Sequence, residues 1–360
     1  MGRLASAGFQ RVADREVDAC LKAQIGAGID IVGDGELRRD NFYSFVSEKI
    51  AGVRMMSLAD MLDTVEDRVS FEAMLQTLDA PAFAIRNPTC VGRLQRRCPL
   101  AVNEFLYLRD RTNLPIKCTL PGPYLLTRAM WVTAHSLPHY PDKTAMAADI
   151  VALLREEIAD LIQAGATIIQ FDEPVLTEVV HAGDARRRTF MCATLATRDT
   201  PESELAYAQA LFNTAVAGFT GNAQFGLHVC RGNWSRREEV LLSGDYQPLV
   251  PLFQSLDLTQ LVLEFATPRA GELEVVGRAL SHRQIGLGCV NPRTAEVETP
   301  DSIVRSTENA LRHWPADRIF LNPDCGFACF ADRPVNDAET AVQKLRTMVD
   351  AARKLRKRHE

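Results

Sequence analysis

Long hydrophobic runs are missing from this 360-residue chain, whose apolar stretches are only strand-length. No segment is therefore expected to span a bilayer. No charged-then-apolar leader opens it either. The start, Met1-Gly2-Arg3-Leu4-Ala5-Ser6, fits a myristoylation pattern in letter only, without a second membrane signal. Basic residues are not in excess: 41 Lys and Arg stand against 46 Asp and Glu, for a net charge of −5. That balance argues against nucleic acid as the main partner. Cysteine shows no disulfide-framework spacing; the nine present are scattered and odd in number. They read as reduced thiols of a cytoplasmic protein. A dinucleotide-binding fingerprint is absent too. Gly33-x-Gly35 reaches Arg38 where the third glycine belongs, and Gly286-x-Gly288 reaches Asn291.

What is present is alternation. Strand signals fall at Ile29–Gly33, Pro115–Thr119, Thr167–Phe171, Phe225–Val229, Gln260–Phe265, Gln284–Val290 and Arg318–Leu321. Helical patterns lie between most of them. In Met146–Ala164, Ile150, Leu154, Ile158, Leu161 and Ile162 recur at helical spacing, and Gly165 stands where a helix C-terminus favours glycine. Strand then helix, repeated, implies a mainly parallel sheet with crossover helices. The expectation is α/β, a (β/α)8 TIM-type barrel, with residues 1–360 as one domain and 1–25 as an atypical N-terminus. Seven strands are found where eight are wanted. Either Arg93–Arg97 supplies the eighth, or the barrel's first strand is missing.

In a barrel the C-terminal strand ends converge on one face, so residues distant in sequence meet there. Those ends carry Asp34-Gly35-Glu36, Pro121-Gly122-Pro123, Asp172-Glu173-Pro174, His228 with Cys230, Glu264, Asn291, and Asp324-Cys325-Gly326. The two-residue spacing of His228 and Cys230 puts imidazole and thiolate on one face of an extended segment. Nitrogen and sulfur donors suit zinc. Plainer roles stand beside these. Glu264 also reads as a satisfied carboxylate of the barrel mouth, and Cys289 as a core residue. Cys329 rivals Cys325 as a ligand, or pairs with it. Asp172 and Glu173 also read as caps of the following helix, and Arg38, Arg39 and Asp40 as a solvated turn.

Taken together and in order, Gly35-Glu36, Gln170-Phe171-Asp172-Glu173-Pro174, His228-Val229-Cys230, Glu264 and Pro323-Asp324-Cys325-Gly326-Phe327 resemble the catalytic barrel of the cobalamin-independent methionine synthase family. The resemblance covers the chain from about Gln24 onward. It implies a Zn2+ ion held by His228, Cys230, Glu264 and Cys325, with Glu36 and Asp172 holding the amino group of homocysteine. Glu264, harder than two thiolates and an imidazole, is the ligand expected to give way to an incoming thiol. The implied reaction is methyl transfer to homocysteine, giving methionine. The donor is methyltetrahydrofolate or a methylcorrinoid.

Three departures bear on that implication. The family's opening strand, with its glycine-serine turn, has no counterpart before Gly26. The folate-binding additional domain has none either. The family's histidine after the penultimate strand, a proton donor, is replaced by Cys289-Val290-Asn291-Pro292-Arg293, which leaves the catalytic acid unassigned. Arg128 and Trp131 stand where a donor could be stacked or paired, although Trp131 reads first as core. The alternative activity is an epoxyalkane:coenzyme M-type thiol alkylation on the same metal. The Glu36 and Asp172 pair favours an amino-acid thiol over a sulfonate. A purely structural zinc is the third reading.

Overall fold

The computed structural model describes residues 6–62, 64, 69, 86–181, 199–233, 241–330 and 333–359. Helix Ser6–Ala27 opens the chain, and Gly28, at φ 89°, turns it toward the sheet. Strands β1 (Ile50–Ser57) and β2 (Arg86–Arg96) follow, then β3 (Lys117–Pro121), β4 (Ile168–Asp172), β5 (Gln224–Val229), β6 (Gln260–Glu264), β7 (Gln284–Val290) and β8 (Ile319–Pro323). The strands β3 to β8 form one parallel sheet in sequential order, with helices in the crossovers.

Two expected strands come out differently. Ile29–Gly33 contributes a single parallel bridge, Val32 to Ile116, closed by Val32 N to the Pro115 carbonyl and Lys117 N to the Val32 carbonyl, both 2.9 Å. Left-handed Gly28 and Gly35 bracket this segment and leave too little extended chain for a ladder. Arg93–Arg97 is not a barrel strand. It lies largely within β2, which pairs antiparallel with β1 in a hairpin separate from the main sheet. Gly52 makes that hairpin possible, since a Cβ there would sit 2.4 Å from the Arg93 carbonyl oxygen.

The expected helix at Met146–Ala164 runs Lys143–Ala164. Asp142 caps it by accepting from Ala145 N at 2.7 Å, and Gly165 at φ 100° ends it. Met146, Ile150, Leu154, Ile158 and Leu161 are buried in the core against the sheet. Helix Ala338–His359 closes the chain, with Met348, Val349 and Leu355 buried. Among the described residues no helix is long and apolar enough to cross a membrane.

Candidate metal and substrate site

Parallel register delivers the strand ends to one rim. Asp172 at the end of β4 lies opposite His228 near the end of β5, and Glu264 at the end of β6 lies opposite Gly288 of β7. Cys230 follows β5 directly, and Cys325 follows β8 by two residues. The donor atoms of His228, Cys230 and Cys325 all lie within 4.8 Å of one another. The two sulfurs are 4.0 Å apart. Two thiolates bound tetrahedrally to zinc at about 2.3 Å stand about 3.8 Å apart, so the pair fits a metal with little adjustment. His228 Nδ1 faces the Val262 carbonyl at 3.2 Å, which leaves Nε2 to act as a donor.

Charge accumulates here. Cys230 is held well below the usual thiol range by its contacts with Cys325 and His228, against the opposing effect of burial. Burial alone would lower the His228 pKa, but the Cys230 thiolate more than offsets it and holds it at about 9. A pair of this kind trades its proton for a metal cation readily. Cys289 behaves as a core thiol, buried among Val290, Ile303 and Val304, with burial pushing its pKa far up. The side chain of Cys329 lies outside the described residues.

Glu264 stands outside the His-Cys-Cys group. It is 1% exposed, and its carboxylate is ringed by arginines. Arg231 Nη1 is 3.3 Å from Oε2, Arg269 Nη2 is 3.2 Å from Oε1, and Arg293 Nη1 is 3.6 Å from Oε1. The backbone N–H of Arg231 also donates to Oε2 at 3.1 Å. Tyr246 braces this corner: it donates to the Val229 carbonyl at 2.8 Å and accepts from Glu264 N at 3.0 Å. Asp324, next to Cys325, ties β8 to β6. Its Oδ1 accepts from Phe265 N at 3.0 Å and Ala266 N at 2.9 Å.

Glu36 and Asp172 belong to a second, neighbouring network. Glu36 is left-handed at φ 56°, an uncommon conformation for a residue with a Cβ, and Asp34 supports it by accepting from its N–H at 3.0 Å. Its carboxylate accepts from Thr119 Oγ1 at 2.5 Å and pairs with Arg39 at 3.3 Å. Asp172 accepts from Gln170 Nε2 at 2.9 Å, and Gln170 in turn accepts from Lys117 Nζ at 3.0 Å. Burial raises Asp172 to about 6, with His228 pulling it down and Glu36 pushing it up. Asp172 therefore senses both Glu36 and His228.

Several roles were invisible along the sequence. Arg39 is not on a solvated turn: it is 7% exposed, bonded to Thr119 and stacked on Phe45. Glu173 caps a helix that precedes it in the chain, accepting from Tyr124 N at 2.8 Å and Leu125 N at 2.9 Å at the start of Pro123–Met130. Trp131 is core, and Arg128 is buried with its Nη1 3.3 Å from Glu204. Arg231, Arg269 and Asp324 had no periodic signal. Arg231 and Asp324 adjoin Cys230 and Cys325 in sequence, and that adjacency was the available clue.

The family profile described as the catalytic domain of cobalamin-independent synthase matches residues 1–354. Methionine synthase of Pyrococcus abyssi is 28% identical over 361 residues, covering 100% of this chain and 87% of that protein. Methionine synthase of Saccharolobus solfataricus is 24% identical, covering 99% and 88%. The solved B12-independent methionine synthase of Shewanella sp. W3-18-1, in complex with selenomethionine, superposes with a TM-score of 0.76 at 22% identity, covering 99% of this chain and 91% of that one. Its fold is the barrel expected here. The chain belongs to the cobalamin-independent methionine synthase family, matching its catalytic domain over nearly its whole length.

Proposed function

We propose that the protein is a zinc-dependent S-methyltransferase that converts homocysteine to methionine in the cytoplasm, with residues 1–360 as one barrel domain. The observation that carries the proposal is the convergence of one imidazole and two thiols beside the Glu36 and Asp172 carboxylates. His228, Cys230 and Cys325 would hold the metal, with Glu264 as a fourth partner that yields to the substrate. Bound zinc lowers the pKa of a coordinated thiol, which supplies a thiolate nucleophile at neutral pH. Three protein donors and one replaceable partner distinguish such a centre from a closed structural one.

The remaining work falls to this chain's own side chains. Glu36, fixed by Thr119 and Arg39, and Asp172, fixed by Gln170, present acceptors to an ammonium group. The selenomethionine complex of the Shewanella relative supports an amino-acid pocket of this kind. Methyltetrahydrofolate and a methylcorrinoid both remain suitable donors in this proposal.

The test is a thiol titration of cobalt(II)-substituted protein, followed by the sulfur-to-cobalt charge-transfer absorption. Homocysteine is expected to intensify the band and coenzyme M to leave it unchanged. A response to coenzyme M alone would replace this reading with epoxide-opening thiol alkylation. No response to either thiol, in protein shown to hold one metal, would make the zinc structural.

A further inference from the structure

A small cavity of about 10 Å3 adjoins the turn that carries Glu36, and Asp34, Arg39 and Glu104 all line it. Their side chains are buried, at 9%, 7% and 7% exposure. Each keeps one polar atom with no hydrogen-bond partner among the described residues: Asp34 Oδ2, Arg39 Nε and Glu104 Oε2. The rest of each side chain is committed. Asp34 Oδ1 accepts from Glu36 N at 3.0 Å, and Glu104 Oε1 faces Lys49 Nζ at 3.7 Å. Arg39 pairs with Glu36, donates to Thr119 and stacks on Phe45. Burial would lower the Arg39 pKa, but the pull of Glu36, Asp34, Glu104 and Asp172 raises it instead. Burial raises the Glu104 pKa, and Lys49 and Arg39 pull it back. Buried polar atoms without a partner are costly and few. Three of them around one cavity define what fits there. A water molecule gives its two protons to the carboxylates and accepts the arginine N–H, three hydrogen bonds in all, the usual number for a buried water. A cation would suit the carboxylates, but it offers the N–H no acceptor and meets the guanidinium charge. One water needs roughly 10–15 Å3 of such space, which is about what the cavity provides.

We propose that this cavity is the site of one structural water, and that through it Glu104 acts as a positioning residue for Glu36. Glu104 belongs to helix Val102–Arg109, which carries none of the expected site residues. The water ties it to both groups that hold Glu36. Asp34 grips the left-handed backbone of Glu36, and Arg39 grips its carboxylate. The positioning role rests on the assignment of Glu36 to the substrate ammonium; the water itself does not.

A high-resolution crystal structure of the wild-type chain tests the water. One ordered oxygen is expected about 2.6–3.2 Å from Asp34 Oδ2, Arg39 Nε and Glu104 Oε2. A cavity with no density, a direct bond between Asp34 and Glu104, or a peak about 2.4 Å from both carboxylates, the distance of a coordinated cation, overturns it. The positioning role is read from binding of homocysteine and of 2-mercaptoethanol to cobalt(II)-loaded wild type, Glu104→Leu, Glu104→Gln and Glu36→Gln. The second probe carries a thiol and no amine. Glu104→Leu is expected to lose about tenfold in homocysteine affinity, the worth of one hydrogen bond to a charged group, and to bind 2-mercaptoethanol within about threefold of wild type. Glu104→Gln, which keeps an oxygen acceptor, is expected to recover most of the loss. Unchanged homocysteine affinity in a folded Glu104→Leu protein overturns the positioning role, as does an equal loss for both thiols. If Glu36→Gln is also unresponsive, the ammonium assignment falls and takes the positioning role with it. If Glu36→Gln weakens homocysteine binding and Glu104→Leu does not, the positioning role falls alone. Where Glu104→Leu does not fold, a homocysteine affinity in Glu104→Gln below that of Glu36→Gln overturns the role, and the wild-type crystal structure still decides the water.

Discussion

Replacing Asp324 tests how the metal corner is held. The residue is 1% exposed and precedes Cys325, so it transmits the position of β6 to the segment after β8 that carries this cysteine. In Asp324→Ala, Phe265 N keeps a partner, because it also donates to the Gly288 carbonyl at 3.1 Å. Ala266 N loses the acceptor that Asp324 supplies, and Arg293 loses its contact with Asp324 but keeps Glu264. One lost hydrogen bond to a charged acceptor sets the expected cost at about 2 kcal/mol of unfolding free energy. Asp324→Asn retains an Oδ1 acceptor and is expected to cost under about 1 kcal/mol. Loosening the segment that carries Cys325 should cut zinc affinity by about tenfold or more in the alanine variant, the usual effect of losing a group that orients a ligand. Urea unfolding of the metal-free protein and chelator competition give the two numbers separately. An alanine variant within about 0.5 kcal/mol of wild type, with unchanged zinc affinity, would refute the strand-end tie.

Two further outcomes concern the carboxylate pair. Asp172 has its pKa raised by burial to about 6, so its stabilising contribution is largest below the ordinary carboxylate range and is lost as pH rises toward 6. The ammonium-holding role runs the opposite way, since only the ionised form attracts a cation. Homocysteine affinity, measured by calorimetry, should therefore fall as pH drops through about 6, and Asp172→Asn should abolish that dependence while softening the loss of stability between pH 4 and 6. Glu36→Gln should weaken homocysteine binding about tenfold or more and leave 2-mercaptoethanol binding unchanged, and equal affinity for homocysteine would end the amino-group assignment.

The sequence was legible where one element carried its own signal. Helix Lys143–Ala164 announced itself through apolar spacing and a glycine terminus, and the period of two in His228-x-Cys230 fixed a shared face. The order of strand-end motifs named the family before any contact was known. What stayed hidden depends on partners far away in the chain. The β1–β2 hairpin occupies a stretch where Arg93–Arg97 alone resembles a barrel strand, and only long-range pairing decides its sheet. Arg39 sits in a charge-rich turn whose burial comes from Phe45 and Thr119. The arginines around Glu264 come from three separate loops, and no local pattern connects them.

The cap that Glu173 places on Pro123–Met130 also limits how this family of sequences can drift. A methyl group on Gly122 would fall 2.1 Å from Glu173 Oε1, so the small residue at one strand end and the long acid at the next are a single heritable unit. A lineage that gains alanine at position 122 has to surrender glutamate at position 173 in the same step, or lose the two amide contacts that start the helix. Substitutions at these two positions should therefore arrive in pairs, and a sequence carrying one change without the other marks a barrel that begins this helix by different means.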